Sequence, residues 1–318
     1  CTATPSPNDL IELTNHSEFL GGLRGKEIIA MFFIQDGNTT HAWRLRKHAI
    51  EDFWRWVASW AVALRSPSDL GYDCSGFALP ALHVQDLVVP NTEPLDGYLF
   101  YMPASTLGER RAARRQSMSD RVQIVADLVN ESKEPWLIWC DLNKEGDSLE
   151  TAIPGSVQIA GSDDVSFKEQ SLMGFSNRDF RVLISKPSIA GHGMNWQHCN
   201  NVAFVGLSDS YESYYQAVRR CWRYGQIREV NCYVVTSEAE GRVLENIRRK
   251  EAQASNLFDS IVKHMKPYEE VNVMFQENVV ELPKHTATGG EDWTMLLGDS
   301  IEMIKGIASE CVGLTVFS

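Results

Sequence analysis

The chain has 318 residues, of which 43% are hydrophobic, and it carries a formal net charge of −12. A chain of this length can bury one large core or two ordinary ones, so a soluble α/β protein is the expected class. Its longest apolar runs, such as 136–140 and 202–205, are far too short to cross a bilayer, and no basic segment followed by an apolar one opens the sequence. We therefore expect a cytoplasmic protein without membrane contact.

The negative charge is unevenly distributed. Residues 268–318 hold nine acids and two bases, which leaves a net charge of −5 for the residues before them. Basic clusters lie at 44–48, 110–115 and 219–228. A solvated surface is the default interpretation of such runs, so the charge permits a nucleic-acid groove without demonstrating one.

The seven cysteines are scattered without CxxC pairs, which favours reduced thiols. His192 and His198 flank a loop with Cys199, but their spacing fits no structural zinc pattern. We predict no metal site in this chain.

In chain order, the first predicted element is a helix at 49–64, which is rich in tryptophan (Trp54, Trp56 and Trp60), and residues 79–90 look extended. Aromatic residues at helical spacing belong to a core far more often than to a base-stacking surface. We assign no ligand role to these tryptophans.

From Ser119, a candidate helix cap, extended and helical patterns alternate along the chain. Strands are predicted at 135–140, 157–160, 181–185, 202–205 and 230–235. Helices are predicted at 121–130, 167–175 and 210–222. Such alternation indicates crossover units on a parallel sheet, and hence an α/β fold.

A long amphipathic segment follows the predicted sheet. Residues 240–265 carry apolar side chains on one helical stripe, which predicts one long helix or two stacked ones. Residues 266–292 then lose periodicity and contain Pro267 and Pro283, which is typical of a domain boundary.

The predicted helix at 210–222 has an unusual basic face. At about 100° per residue, its polar side chains fall within an arc of roughly 100°; these are Gln216, Arg219, Arg220 and Arg223. Residues 214–227 contain no acid that could pair with them. Unpaired arginines repel each other, so this face predicts an anionic ligand, and phosphate suits the planar guanidinium.

The stretch Gln216-Ala-Val-Arg-Arg-Cys-Trp-Arg-Tyr-Gly-Gln226 resembles motif VI of the superfamily-two, Swi/Snf-like DNA helicases. The resemblance implies that Gln216, Arg220 and Arg223 belong to the catalytic site. The two arginines would be arginine fingers that reach the γ-phosphate of ATP, and Gln226 would take part in nucleotide or DNA binding. Arg219 departs from the pattern, because the family usually has an acid at that position.

A second stretch, Ser185-Lys-Pro-Ser-Ile-Ala-Gly-His-Gly-Met-Asn-Trp196, follows a predicted strand and resembles motif V of the same family. Gly191 and Gly193 would let backbone amides approach phosphate, and Asn195 adds a polar side chain. The resemblance implies that this loop touches both the nucleotide and the DNA backbone.

A third stretch, Cys1-Thr-Ala-Thr-Pro5, resembles motif III, which closes the first motor lobe and couples nucleotide to DNA. It makes Thr2 and Thr4 candidate nucleotide- or DNA-binding residues. The three motifs together imply a RecA-like parallel sheet flanked by helices, the C-terminal lobe of a helicase or translocase that acts mainly on the sugar-phosphate backbone of DNA.

The sequence contains no GxxxxGK[ST] phosphate loop, and Gly22-Leu-Arg-Gly-Lys26 lacks both its spacing and its hydroxyl. An Asp-Glu pair on a strand that could hold magnesium is also absent from the sequence. The resemblance implies that ATP and Mg²⁺ are held mostly by a first lobe preceding Cys1. We therefore expect the chain alone not to hydrolyse ATP.

The last residues resemble a different family. Trp293-Thr-Met-Leu-Leu-Gly-Asp-Ser-Ile-Glu-Met-Ile-Lys-Gly-Ile, followed by Val312-Gly-Leu-Thr-Val-Phe-Ser318, is similar to the start of an amino-type (N4 or N6) DNA methyltransferase. S-adenosylmethionine is the cofactor that this resemblance would imply. A plain βαβ beginning would give the same pattern, and the catalytic prolines of the family do not occur here.

The predicted organisation has four parts: 1–118, the end of a first lobe and a helical connector; 119–267, the C-terminal lobe; 268–292, a linker; and 293–318, a methyltransferase-like start. Two alternatives to an active motor stay open. One is a catalytically silent RecA-like DNA-binding module, and the other is a DNA-delivery arm for a fused methyltransferase.

Overall fold

A computed structural model describes residues 2–35, 43–90, 107–238, 241–272, 286–289 and 294–297 of the chain. Its strands are β1 (Phe33–Gln35), β2 (Trp43–Leu45), β3 (Leu82–Val89), β4 (Trp136–Trp139), β5 (Ser156–Gln158), β6 (Val182–Ser185), β7 (Asn201–Phe204), β8 (Val230–Ser237), β9 (Thr286–Gly289) and β10 (Thr294–Leu297). Its helices are α1 (Leu13–Phe19), α2 (Gly25–Phe32), α3 (Ile50–Ala58), α4 (Leu107–Gln116), α5 (Met118–Asn130), α6 (Asn143–Ala152), α7 (Val165–Asn177), α8 (Pro187–Ala190), α9 (Tyr211–Val218) and α10 (Gly241–Asn272).

Six strands form one parallel sheet in the order β3-β8-β7-β4-β6-β5. The central strands β4, β6 and β7 are buried along their whole length. Their continuous apolar sequences suit strands covered on both faces, because crossover helices must pack on either side of a parallel sheet. The predicted α/β class and parallel sheet are confirmed.

Each face of the sheet has its own core. On one face, Phe175, Trp196 and Ala217 belong to a buried cluster built with α7 and α9. On the other face, Val125 and Leu149 from α5 and α6 pack against the sheet. Three layers result, and the loops after the strands open at the carboxyl edge of the sheet, where parallel α/β folds usually bind ligands.

The sheet extends beyond the range predicted for the C-terminal lobe. Its edge strand β3 comes from the first 118 residues and pairs with β8 over eight residues, from Leu82 opposite Val230 to Val89 opposite Ser237. The predicted boundary at 118/119 therefore cuts through this sheet, because residues far apart in the chain form adjacent strands.

Several predicted element ends also differ from the structure. The predicted helix at 49–64 ends at Ala58, and α9 ends four residues before the predicted end at 222. The N-cap of α5 is Ser117 and not Ser119.

The long helix α10 joins two cores. Val243 and Ile247 pack on the sheet, whereas Leu257 and Ile261 pack on a helical unit built from α1, α2 and α3. Trp54 is buried in that unit, as expected for a core tryptophan. None of the described helices is long and apolar enough to cross a membrane.

The C-terminal predictions are only partly covered by the described residues. The single helix α10 runs to Asn272, and β9 lies within the predicted linker at 268–292. The strand β10 pairs antiparallel with β9. Residues 298–318, which carry most of the methyltransferase-like pattern, lie outside the described ranges.

Candidate functional site

The loop after β6 depends on glycine. Residues 191–196, the glycine loop, follow the short helix α8. A Cβ atom on Gly191 would lie 2.2 Å from the carbonyl oxygen of Pro187, so the turn cannot hold a larger residue without moving. Gly193 has φ of +79°, a left-handed conformation that favours glycine. The two glycines let the chain reverse sharply toward the start of β7.

The arginines lie in a turn rather than on a continuous helix. Residues 219–225, the arginine turn, follow the last residue of α9. Backbone N–H groups of Cys221 and Trp222 donate to the carbonyl oxygen of Val218 at 3.1 and 3.0 Å, which tightens the end of the helix. Buried Cys221 and the Trp222 indole, which donates to the Pro80 carbonyl oxygen at 2.8 Å, anchor the turn outside the helical path.

The arginine turn and the glycine loop meet at one backbone carbonyl. The Nη1 atoms of Arg220 and Arg223 donate to the carbonyl oxygen of Met194 at 3.0 and 3.1 Å. The backbone N–H of Trp196 donates back to the carbonyl oxygen of Arg220 at 2.9 Å. Arg220 also donates to the Gln216 side-chain oxygen at 3.2 Å. The structure therefore brings Gln216, Arg220, Arg223 and the glycine loop together.

This cluster is electrically unbalanced. Among the residues that the structure describes, neither Arg220 nor Arg223 forms a salt bridge with a carboxylate. Burial lowers the pKa of the Arg220 guanidinium, and the neighbouring charge of Arg223 lowers it further. Two partly buried cations that share one neutral acceptor would be stabilised by an anion.

Arg219, which departs from the family pattern, makes different contacts. Its guanidinium lies over the ring of Trp222, with Cζ 4.3 Å from the ring centroid, and over the ring of Tyr215 at 5.0 Å. Cation–π contacts of this kind hold the side chain against the turn. These ring contacts differ from the contacts of Arg220 and Arg223, which share the Met194 carbonyl.

Gln226 fixes the end of the turn from inside the protein. Its side chain is buried, and its Nε2 atom donates to the carbonyl oxygens of Gln197, Cys199 and Cys221 at 2.9–3.3 Å. Its Oε1 accepts from the backbone N–H groups of Ile227 and Arg228 at 3.1 and 3.0 Å. These bonds occupy the amide and hold the end of the arginine turn against the segment that enters β7.

Asn195 lies in the glycine loop and is exposed. It opens onto a cavity of about 640 Å³ at the amino edge of the sheet, which His198, Gly225 and Arg228 also line. Burial lowers the pKa of His198, and the charges of Arg178 and Arg228 lower it further. Because Asn195 is exposed, its side chain is accessible beside the arginine turn.

The N-terminal candidates lie at the other end of α9. The Thr4 hydroxyl donates to the carboxylate of Glu212, in the first turn of α9, at 3.1 Å, and the backbone N–H of Thr4 donates to the Thr2 hydroxyl at 3.2 Å. Thr4 is buried and Thr2 is exposed, while Cys1 lies outside the described residues. The described contacts connect this segment to α9, but they do not join it to the arginine turn.

Sequence reasoning missed a polar cavity at the carboxyl edge of the sheet. It has a volume of about 270 Å³, and its polar lining includes Asp141, Lys186, Ser188, Ser208 and Ser213. Lys186 directly follows β6, and Asp141 comes just after β4. Their position at strand ends was the available signal, since such loops carry function in parallel α/β folds.

A buried ionic network supports this cavity. Arg121 and Glu145 are fully buried, with Nη2 and Oε1 2.8 Å apart. Glu145 accepts the backbone N–H groups of Asp141 and Leu142, each at 2.9 Å. A Cβ atom on Gly206 would lie 3.0 Å from both carboxylate oxygens of Glu145, so the ion pair and the loop after β7 fit closely.

A second buried arginine, Arg114, joins the network; it comes from the predicted basic cluster at 110–115. Arg114 is paired with Asp141 and donates to the carbonyl oxygen of Leu207. This side chain is therefore structural, whereas its neighbour Arg115 is exposed. No group of three or more His, Cys, Asp or Glu residues suited to a metal ion occurs within the described ranges.

Comparison with known proteins points to one class. Residues 120–225 match the family model for the helicase conserved C-terminal domain. The matched segment contains both the glycine loop and the arginine turn. This match agrees with the superfamily-two resemblance of the two stretches. None of the curated proteins matches the chain.

Two solved structures are similar to the chain. The first is the C-terminal part of the Fun30 ATPase domain, at 19% identity and a TM-score of 0.36 over 44% of this chain and 54% of that one. The second is a DEAD box protein from the hyperthermophile Methanococcus jannaschii, at 19% identity and a TM-score of 0.36 over 41% of this chain and 36% of that one. The chain thus spans about half the length of the first and about a third of the second.

Proposed function

We propose that this chain supplies the second motor lobe of an ATP-driven, Swi/Snf-like DNA translocase or helicase. The observation that carries the proposal is the convergence of Arg220 and Arg223 on the carbonyl oxygen of Met194, at 3.0 and 3.1 Å. The described residues provide no carboxylate partner for either arginine. A terminal phosphate is the ligand whose charge and geometry suit two such guanidiniums.

In this proposal the arginines act on the γ-phosphate of ATP. Charge develops on the phosphoryl oxygens during transfer, and a positioned guanidinium stabilises it. Mg²⁺ and most of the nucleotide would be held by the phosphate loop and acidic pair of a first lobe. The residues described here fit the phosphate but supply no clustered metal ligands.

The same contacts suggest how nucleotide could affect DNA. When the two guanidiniums turn toward phosphate, the Met194 carbonyl loses both donors. The glycine loop, with its left-handed Gly193, can then adopt another conformation. In our proposal this loop links the arginine turn to the DNA contact at Lys186, and Asn195, which is exposed beside the arginine turn, contributes a polar contact to the nucleotide.

The cavity at the carboxyl edge is the proposed contact with DNA phosphate. Lys186 supplies a cation, and Ser188, Ser208 and Ser213 supply hydroxyl groups. Such groups can hold sugar-phosphate backbone without reading base identity. The motor would therefore act on DNA of any sequence.

The proposal is tested by ATP turnover in the full-length protein that contains these 318 residues. Turnover should rise on addition of duplex DNA, and two unrelated duplexes should stimulate it similarly. DNA affinity should fall linearly with the logarithm of salt concentration. ATP turnover that ignores DNA would contradict the proposed motor, and DNA binding without any turnover would replace the motor with the silent binding module.

The variant Lys186→Ala tests the cavity. It should weaken binding to both duplexes about equally and make the salt slope shallower by about one, because one phosphate contact is lost. Lys263→Ala is the matched control, since Lys263 is an exposed lysine on α10. Equal effects of the two variants would place the DNA contact elsewhere.

A further inference from the structure

Two aromatic side chains, one in the arginine turn and one beside it, are exposed. Phe77 and Tyr224 are 54% and 62% exposed, although their rings stack on each other. The ring centroids are 5.3 Å apart and the ring planes are inclined by 28°. Large aromatic faces left in water beside polar groups commonly mark a binding surface.

The pair is held in place by the same bonds that shape the arginine turn. The Gln197 side chain donates to the carbonyl oxygen of Tyr224 at 2.6 Å. Gly225 has φ of +91°, and a Cβ atom on it would lie 2.8 Å from the Gln197 side chain. The bond from the Trp222 indole to the Pro80 carbonyl fixes the segment that carries Phe77. The aromatic pair is therefore pre-positioned.

Tyr224 also directly follows Arg223, so the α-carbons of a cationic and an aromatic residue lie about 3.8 Å apart. A nucleotide joins an anionic phosphate chain to a flat base. The described surface thus offers a matching combination, in which two arginines without carboxylate partners adjoin an open aromatic pair.

We propose that Phe77 and Tyr224 form a stacking surface for the base of the nucleotide whose phosphate contacts Arg220 and Arg223. This inference rests on the proposed function. Stacking uses the π-face that every base presents, so the pair would contribute affinity with little choice between purine bases. The aromatic pair would make this lobe a binding partner for the whole nucleotide, beyond its terminal phosphate.

The test compares the dissociation constants of ATP and inorganic tripolyphosphate in the full-length protein, measured by calorimetry. Tyr224→Ala and Phe77→Ala should each weaken ATP binding between about 5-fold and 150-fold, the effect of losing one base stack. Tripolyphosphate, which lacks a base, should bind each variant as it binds the wild type. Tyr224→Phe should retain ATP affinity because it keeps the ring.

Tyr72→Ala is the matched control, since Tyr72 is another exposed tyrosine and lies close to Phe77 in the sequence. Unchanged ATP affinity in Tyr224→Ala would overturn the inference, and so would equal weakening of both ligands. Loss of single-stranded DNA binding with intact ATP affinity would assign the pair to a DNA base and also overturn it.

Hydrolysis by the arginine variants tests the proposed function independently of the stacking inference. If Arg220→Ala and Arg223→Ala abolish hydrolysis while Tyr224→Ala binds ATP normally, the motor proposal stands and the stacking inference fails. If hydrolysis survives the arginine changes, the proposed function fails whatever Tyr224 does. A full-length protein that binds no ATP would overturn both.

Discussion

At the scale of single residues, the side chain of Gln226 makes hydrogen bonds inside the protein at the end of the arginine turn. Its amide connects the arginine turn to the strand entry at Gln197 and Cys199. The sequence resemblance implied a nucleotide or DNA contact for Gln226, whereas the contacts described for its amide suggest a positioning role; a glutamine pattern alone does not reveal which way the side chain points.

Replacing Gln226 tests this positioning role. Gln226→Ala should lower the free energy of unfolding by about 2 kcal/mol or more, because buried carbonyl and N–H groups lose their partners. Urea denaturation measures the loss. Gln123→Ala, which removes an exposed helical glutamine, should cost less than about 0.5 kcal/mol. Equal stability of the two variants would contradict the described network.

Arg219 separates packing from chemistry within the same turn. Arg219→Ala should lower the free energy of unfolding by about 1 kcal/mol, since its contacts with Tyr215 and Trp222 are lost. ATP hydrolysis by the full-length protein should stay near the wild-type rate, because the guanidinium does not share the Met194 carbonyl. A large loss of hydrolysis without a loss of stability would show that Arg219 acts on the nucleotide.

At the scale of elements, the strands of the parallel sheet were the most predictable. The apolar runs of β4, β6 and β7 are buried on both faces, so their sequences carry a strong signal. The polar helix α6 was not predicted, and α9 ends earlier than predicted. Contacts with distant residues determine where α9 ends, such as the hydrogen bond from the Trp222 indole to the Pro80 carbonyl oxygen.

Buried charge was also hidden from sequence reasoning. Arg114 and Arg121 lie in or just after a basic run that looked like a surface, yet both are buried. Their partners Asp141 and Glu145 come from another part of the chain. Periodicity cannot foresee such pairs, because the pairing depends on how helices pack on the sheet.

The pair of Arg121 and Glu145 provides a stability prediction. Glu145→Ala should cost about 3–5 kcal/mol, because it leaves a buried guanidinium without its carboxylate. The double change Arg121→Met with Glu145→Leu should recover only part of that loss, because the backbone N–H groups of Asp141 and Leu142 still lose their acceptor. Glu51→Ala, which breaks an exposed pair with Arg55, should cost less than about 1 kcal/mol. Thermal and urea denaturation give the comparison, and a Glu145→Ala protein as stable as Glu51→Ala would contradict it.

At the scale of the whole molecule, the chain joins a sheet and a helical unit through α10. Leu257 and Ile261 anchor this helix to the helical unit, and Val243 and Ile247 anchor it to the sheet. The arginine turn, the glycine loop and the cavity at the carboxyl edge all belong to the sheet. In the proposed function, this rigid frame would let the two arginines meet a phosphate held by another lobe.

Single-turnover hydrolysis of pre-bound ATP in the full-length protein tests the central proposal most directly. Arg220→Ala and Arg223→Ala should each slow the cleavage step by on the order of 10³-fold or more, because arginine fingers act mainly on the transition state. ATP affinity and melting temperature should change only modestly. Cleavage at near the wild-type rate in both variants would contradict the account and leave the arginine turn as a structural element of the lobe.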